Sequence, residues 1–139
     1  MSILSTIIAL KTASAIVIGF GLVTALAAWP ALNLPTQWLI DLMFLPFDGQ
    51  PNIVSPEARI LCGILGGVLV SWGVMQWLIA TKLYLREPAL ARQLIWFSLW
   101  SWFVVDCTAS IIAGAPFNAV MNVPFLLLFI VPLWRNTAE

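Results

Sequence analysis

The chain has 139 residues, of which 62% are hydrophobic and only 9% charged, with a mean hydropathy of +1.01; a soluble core wrapped in a polar surface cannot be built from that composition. Six basic and six acidic residues cancel, which argues against a nucleic-acid partner and makes the placement of charge more informative than its sum. There is no histidine, and the two cysteines, Cys62 and Cys107, are far apart in sequence, so haem, zinc and CxxC redox chemistry lack their usual ligands or nucleophile pairs, and no cofactor or metal is expected.

A helix needs about 20 residues to cross a hydrocarbon core of roughly 30 Å, and four apolar stretches meet that requirement. The first is predicted over residues 12–32, after Lys11. Lys11, the apolar run and Ala25-Leu26-Ala27 also imitate the three regions of a signal peptide, but the expectation is a retained first helix. Residues 33–56 form a long connection. Within it Trp38, Leu42 and Leu45 fall on one stripe, as expected of a short helix lying in the membrane interface and covering the end of the bundle.

The second span is predicted over 57–81. Ser55 suits the N-cap, Pro56 the first helical position, and Glu57 the positive end of the helix dipole. The third, 89–113, is stopped by Gly114 and Pro116. The fourth, 117–134, follows so closely that the two must form an antiparallel hairpin, and Pro124 within it removes the N–H that would bond the carbonyl of Val120. The fold class is therefore all-α, an integral membrane bundle of four transmembrane helices with a short interfacial helix in the first outer loop.

In this layout Lys11, Lys82, Arg86, Arg92 and Arg135 fall on one side and Arg59 alone on the other. The positive-inside rule then predicts both termini in the cytoplasm, in a plasma or bacterial inner membrane. It also places Arg59, Asp106, Asn118 and Asn122 in the same outer leaflet. At about 100° per residue, Arg59 shares its face with Gly63, Gly66, Val70 and Gly73. Asp106 lies beside Trp102, Ala109 and Ser110, while Asn118 and Asn122 lead a stripe continued by Phe125 and Phe129.

A lone carboxylate in the hydrocarbon region is costly, so Asp106 must be paired, solvated or protonated. The expected partner is Arg59, with Asn118 and Asn122 completing a polar network that locks three helices together. The same atoms suit two functional alternatives, a proton-carrying carboxylate and a site for a polar head group.

Gly63, Gly67 and Ser71 make a small-xxx-small run, and with Gly66 and Gly73 they are candidates for close helix packing, within this bundle or between copies. The aromatic run Trp96, Phe97, Trp100, Trp102, Phe103 covers more than one face, so part of it must meet lipid or another protein. Cys62 and Cys107 share a leaflet, but small buried cysteines are the expectation ahead of a disulfide. With no histidine, metal cluster, phosphate loop or positioned nucleophile, catalysis lacks its parts, and no enzyme is expected.

The stretches EARILCGILGGVLVSWGV and WFVVDCTASIIAGAPFNAVMN resemble small four-helix inner-membrane proteins of bacteria whose function is uncharacterised. The resemblance implies a compact bundle in a bacterial inner membrane and carries no activity. The expected function is that of an accessory or scaffold subunit, in the lipid bilayer with a protein partner or as a homo-oligomer. A small proton-coupled transporter or channel using Asp106 is the first alternative, and a protein that binds a lipid, pigment or other hydrophobic small molecule the second.

Overall fold

The computed structural model describes residues 2–49 and 53–134. Among these every regular element is helical: α1 (Ile3–Leu26), α2 (Leu34–Phe44), α3 (Pro56–Leu78), α4 (Pro88–Ile112) and α5 (Pro116–Trp134). Four segments are long and apolar enough to cross a membrane: α1, α3 with its extension to Leu83, α4 and α5. Their large aliphatic side chains stand exposed, Ile64 at 58% and Ile112 at 82%, which only an apolar surrounding or partner tolerates over such an area.

Helix α1 starts well before the predicted residue 12, because Ser2 supplies an N-cap. Its side chain accepts from the Ser5 amide at 3.3 Å, and Thr6 Oγ1 donates back to the Ser2 carbonyl at 3.2 Å. Lys11 is therefore inside the helix, its ammonium 4.8 Å from the centre of the Trp77 ring on α3. The helix ends at Leu26, short of the predicted 32. Pro30 forces Trp29 into an extended conformation and opens a separate 3-10 turn, Pro30–Leu32.

Helix α3 begins as its sequence indicates. Ser55 accepts from the Ala58 amide at 3.1 Å, and Pro56 occupies the first turn. Its last turn widens over Ile79–Leu83, where the Tyr84 amide reaches the Ile79 carbonyl at 3.0 Å. Helix α4 ends at Gly114, whose φ of +82° suits glycine, and the Ala115 amide closes the turn on the Ser110 carbonyl at 2.9 Å. Both Pro124 and Pro132 lie inside α5.

The closest interface joins α1 to α3. A Cβ on Gly66 would collide with the backbone of Ala25, one on Gly21 would lie 2.8 Å from the Val70 nitrogen, and one on Gly73 would lie 3.1 Å from the Ser14 carbonyl. A Cβ on Gly63 would lie at an ordinary 3.6 Å from the Ala28 Cβ. Gly67 and Ser71 do not join this interface. No atom lies within 4 Å of a Cβ on Gly67, and both residues are exposed on the outer face of α3. The expected packing set thus divides between two faces, as residues three and four apart in a helix drift around its axis.

Helix α4 pairs with α5, and α1 also packs on α5, whereas α3 and α4 barely meet along their backbones. The main core fills the half of the bundle nearer the termini. There Leu10, Tyr84, Ile95, Leu99, Phe129 and Leu133 are fully buried. In the other half only a small cluster, Ala27, Ile53 and Cys62, closes α1 against α3.

Helix α2 sits across that second half, against α5 and α1. Thr36 Oγ1 donates to the Val23 carbonyl at 3.2 Å and Asn33 Nδ2 to the Ile53 carbonyl at 3.2 Å. The buried Asp41 accepts from the amides of Asp48 at 3.3 Å and Gly49 at 2.8 Å, folding the chain after α2 back on itself. Trp38 and Leu45 of the predicted apolar stripe are exposed, and Leu42 is half-buried. The buried side is the polar one, because loop amides need an acceptor more than the outer surface needs protection from apolar groups.

Candidate functional site

Where α3 and α4 stand apart, the bundle encloses a cavity of about 760 Å³. Val17 and Phe20 of α1 and Phe125 and Met121 of α5 form its back wall, and Met43 of α2 contributes at the loop end. Along the rim Leu65, Val68 and Val105 are more than half exposed, at 53%, 59% and 69%. The mouth therefore opens sideways between α3 and α4, and not along the bundle axis.

At its deeper end the cavity is closed by a tether between α3 and α4. Trp72 Nε1 donates to Ser98 Oγ at 2.6 Å, and Gln76 Nε2 donates to the same oxygen at 2.9 Å. The Trp72 ring lies 5.4 Å from that of Trp102 and 6.0 Å from that of Phe129. A single hydroxyl thus collects two donors, and Gln76 Oε1 is buried without a hydrogen-bond partner.

The polar end is built by α4 and α5. Asp106 is half-buried, and Asn122 Nδ2 donates to its Oδ2 at 2.6 Å while lying 3.6 Å from Cys107 Sγ. In this pair the asparagine presents its N–H side to the carboxyl oxygen. Asn118 Nδ2 donates to Ser110 Oγ at 2.8 Å, a separate link between the same two helices. Asp106 lies about 9 Å from the end of α4 at 1.5 Å per residue, so this end of the cavity is the one nearer α2.

Arg59 does not join them. Among the described residues no ion pair connects it to Asp106, and its Nε is buried without a partner. The expected phase is correct, because Arg59 shares the face of Gly63, Gly66 and Gly73. That face, however, is the one taken by α1. The glycines bring α1 so close that the arginine is carried to the α1 side, while α4 is held away across the cavity. The expected three-helix network therefore reduces to two hydrogen-bonded pairs within the α4–α5 hairpin.

Ser98 and Ser101, which carry no motif in the sequence, also line the cavity, and so do Trp72 and Trp102. Their place on α4, eight and five residues before Asp106, is the available signal, but their partner face on α3 is not legible without the crossing of α1. The rest of the aromatic run divides as its phases require. Trp96 and Phe103 pack against the core, while Phe97 and Trp100 are exposed. Cys62 and Cys107 are free thiols. Arg135, counted with the basic residues, lies outside the described residues.

Among the described residues no group of cysteines and carboxylates is placed to hold a metal ion. No family model matches the chain, and comparison with curated proteins and with solved structures gives no significant match.

Proposed function

We propose that this is a multi-pass membrane protein that takes an apolar small molecule sideways from the bilayer into the cavity between α3 and α4. The observation that carries the reading is the pairing of an apolar cavity of about 760 Å³ with one polar end, Asp106 and Asn122. That volume lies within the roughly 300–1,000 Å³ of small-molecule sites, which are mostly apolar with a few placed polar groups. A lateral mouth suits a ligand that partitions into lipid.

The basic residues Lys11, Lys82, Arg86 and Arg92 lie toward the end carrying the termini, which on the positive-inside rule faces the cytoplasm. Helix α2, with Trp38 and Leu45 outward, then lies in the opposite interface, and the resemblance noted above favours a bacterial inner membrane. An accessory or scaffold role keeps the support of the exposed apolar surface of the helices, and the polar lock through Arg59 does not add to it. Proton-coupled transport needs a polar route from Asp106 to the other end. The Leu10, Ile95, Leu99 and Leu133 core stands in its way.

The test is extraction of the full chain in a mild detergent, followed by mass spectrometry of the small molecules that stay bound. Ser101→Phe, which adds a ring at a position lining the cavity, is the comparison. Retention of a defined apolar compound by the wild type and its loss from Ser101→Phe is the expected result. Equal retention of the same lipids by both would sink the reading.

A further inference from the structure

The polar end of the cavity also discriminates between head groups, an inference that rests on the binding role proposed above. The Asn122 amide serves Asp106 Oδ2 and Cys107 Sγ, one N–H of Asn118 serves Ser110, and the Trp72 indole serves Ser98. The donors left to line the cavity, such as the Ser98 and Ser101 hydroxyls, are neutral, and the charged group that lines it among the described residues is an acceptor, Asp106. Among the described residues Asp106 Oδ1 receives no hydrogen bond, and it is not one of the buried unpartnered atoms.

No lysine or arginine lines the cavity. Lys11 lies over Trp77, between α1 and α3. Arg59 is on the face of α3 that meets α1, while Lys82 in the extension of α3, Arg86 in the connection and Arg92 in the first turns of α4 lie at the other end. A phosphate or carboxylate head would thus meet Asp106 without a neutralising cation, in surroundings where water screens poorly.

We infer that the ligand is a single apolar chain or ring system whose polar end is a hydrogen-bond donor, a hydroxyl or an ammonium, and that Asp106 is the residue that selects it. The donor caps Oδ1, and Asn122 holds the carboxylate by Oδ2 as a positioning residue. Free fatty acids and anionic phospholipid heads are rejected by charge and not by size, since the apolar part of the site is the same for all of them.

The experiment uses the full chain in zwitterionic nanodiscs and measures displacement of radiolabelled hexadecanol by three competitors of equal chain length. These are hexadecanol, hexadecylamine and, at mildly alkaline pH, hexadecanoic acid. In the wild type the alcohol and the amine displace the label, and the acid is weaker by at least about tenfold. Asp106→Asn, which keeps a side chain able to bond Asn122, raises the acid to the level of the alcohol and the amine.

Equal competition by acid and alcohol in the wild type overturns the head-group inference while leaving the binding role intact, and needs no variant to be folded. Selectivity that survives Asp106→Asn overturns the part given to Asp106. Hexadecanol bound equally by wild type and Ser101→Phe instead removes the binding role, and the inference with it. The amine and alcohol arms separate a cationic from a neutral donor.

Discussion

Asn122 Nδ2 meets Asp106 Oδ2 at 2.6 Å, and this bond ties α5 to α4 with no contribution from the arginine on α3. Hydrogen bonds to charged groups are worth about 1.5–3 kcal/mol. Asn122→Ala is therefore expected to lower stability by that amount. The corresponding double-mutant cycle between Arg59→Ala and Asp106→Ala should show coupling within about 0.3–0.5 kcal/mol of zero, as for sites that share no contact. Unfolding in mixed micelles measures both, and a coupling of several kcal/mol would restore the three-helix lock.

The two glycine faces of α3 should respond very differently to a methyl group. Gly66→Ala drives its Cβ into the Ala25 backbone and is expected to cost about 1–3 kcal/mol or more, because α1 must move away. Gly67→Ala has open space and should change stability by no more than about 0.5 kcal/mol. Thermal melting of the two variants side by side decides the matter.

Ser98 holds both Trp72 and Gln76. Ser98→Ala leaves the indole and the amide without their acceptor, at an expected cost of about 1–3 kcal/mol. Because both donors are on α3, the loss should appear as a loosening of α3 against α4. Cross-linking yield between cysteines introduced at Val68 and Val105, on the two sides of the mouth, should change in Ser98→Ala. An unchanged yield would mean that the tether does not set the width of the opening.

Asp41 is expected to stabilise the loop without contributing to the bundle. Asp41→Ala removes the acceptor for the amides of Asp48 and Gly49, so those amides should exchange hydrogen faster while α3, α4 and α5 keep their protection. Asp41→Asn, which retains one acceptor oxygen, should fall between. Hydrogen exchange read by mass spectrometry shows whether protection is lost only in this segment.

Much of the architecture is legible in local chemistry. Ser55-Pro56-Glu57 starts α3, Gly114 ends α4, and four apolar runs of sufficient length make four candidate spans, because caps, turns and bilayer thickness act through neighbouring residues. The start of α1 was harder to place. A lysine inside a span looks like a boundary until a tryptophan ring on another helix is seen to receive it. The buried side of α2 is not legible in sequence for a related reason, since the need of the loop amides for Asp41 appears only once the loop is folded.

Sequence by itself determined the all-helical class, the number of helices long and apolar enough to cross a membrane, the place of Asp106 near the end of α4 and the face on which Arg59 lies, all of which follow from composition, length and a fixed helical period. Tertiary structure alone decided who meets whom. Helix phase says that Arg59 travels with Gly63, Gly66 and Gly73, but not which helix accepts that face. Once α1 takes it, backbone against backbone, α4 is left at a distance, Asp106 pairs with Asn122, and the gap between α3 and α4 becomes the cavity.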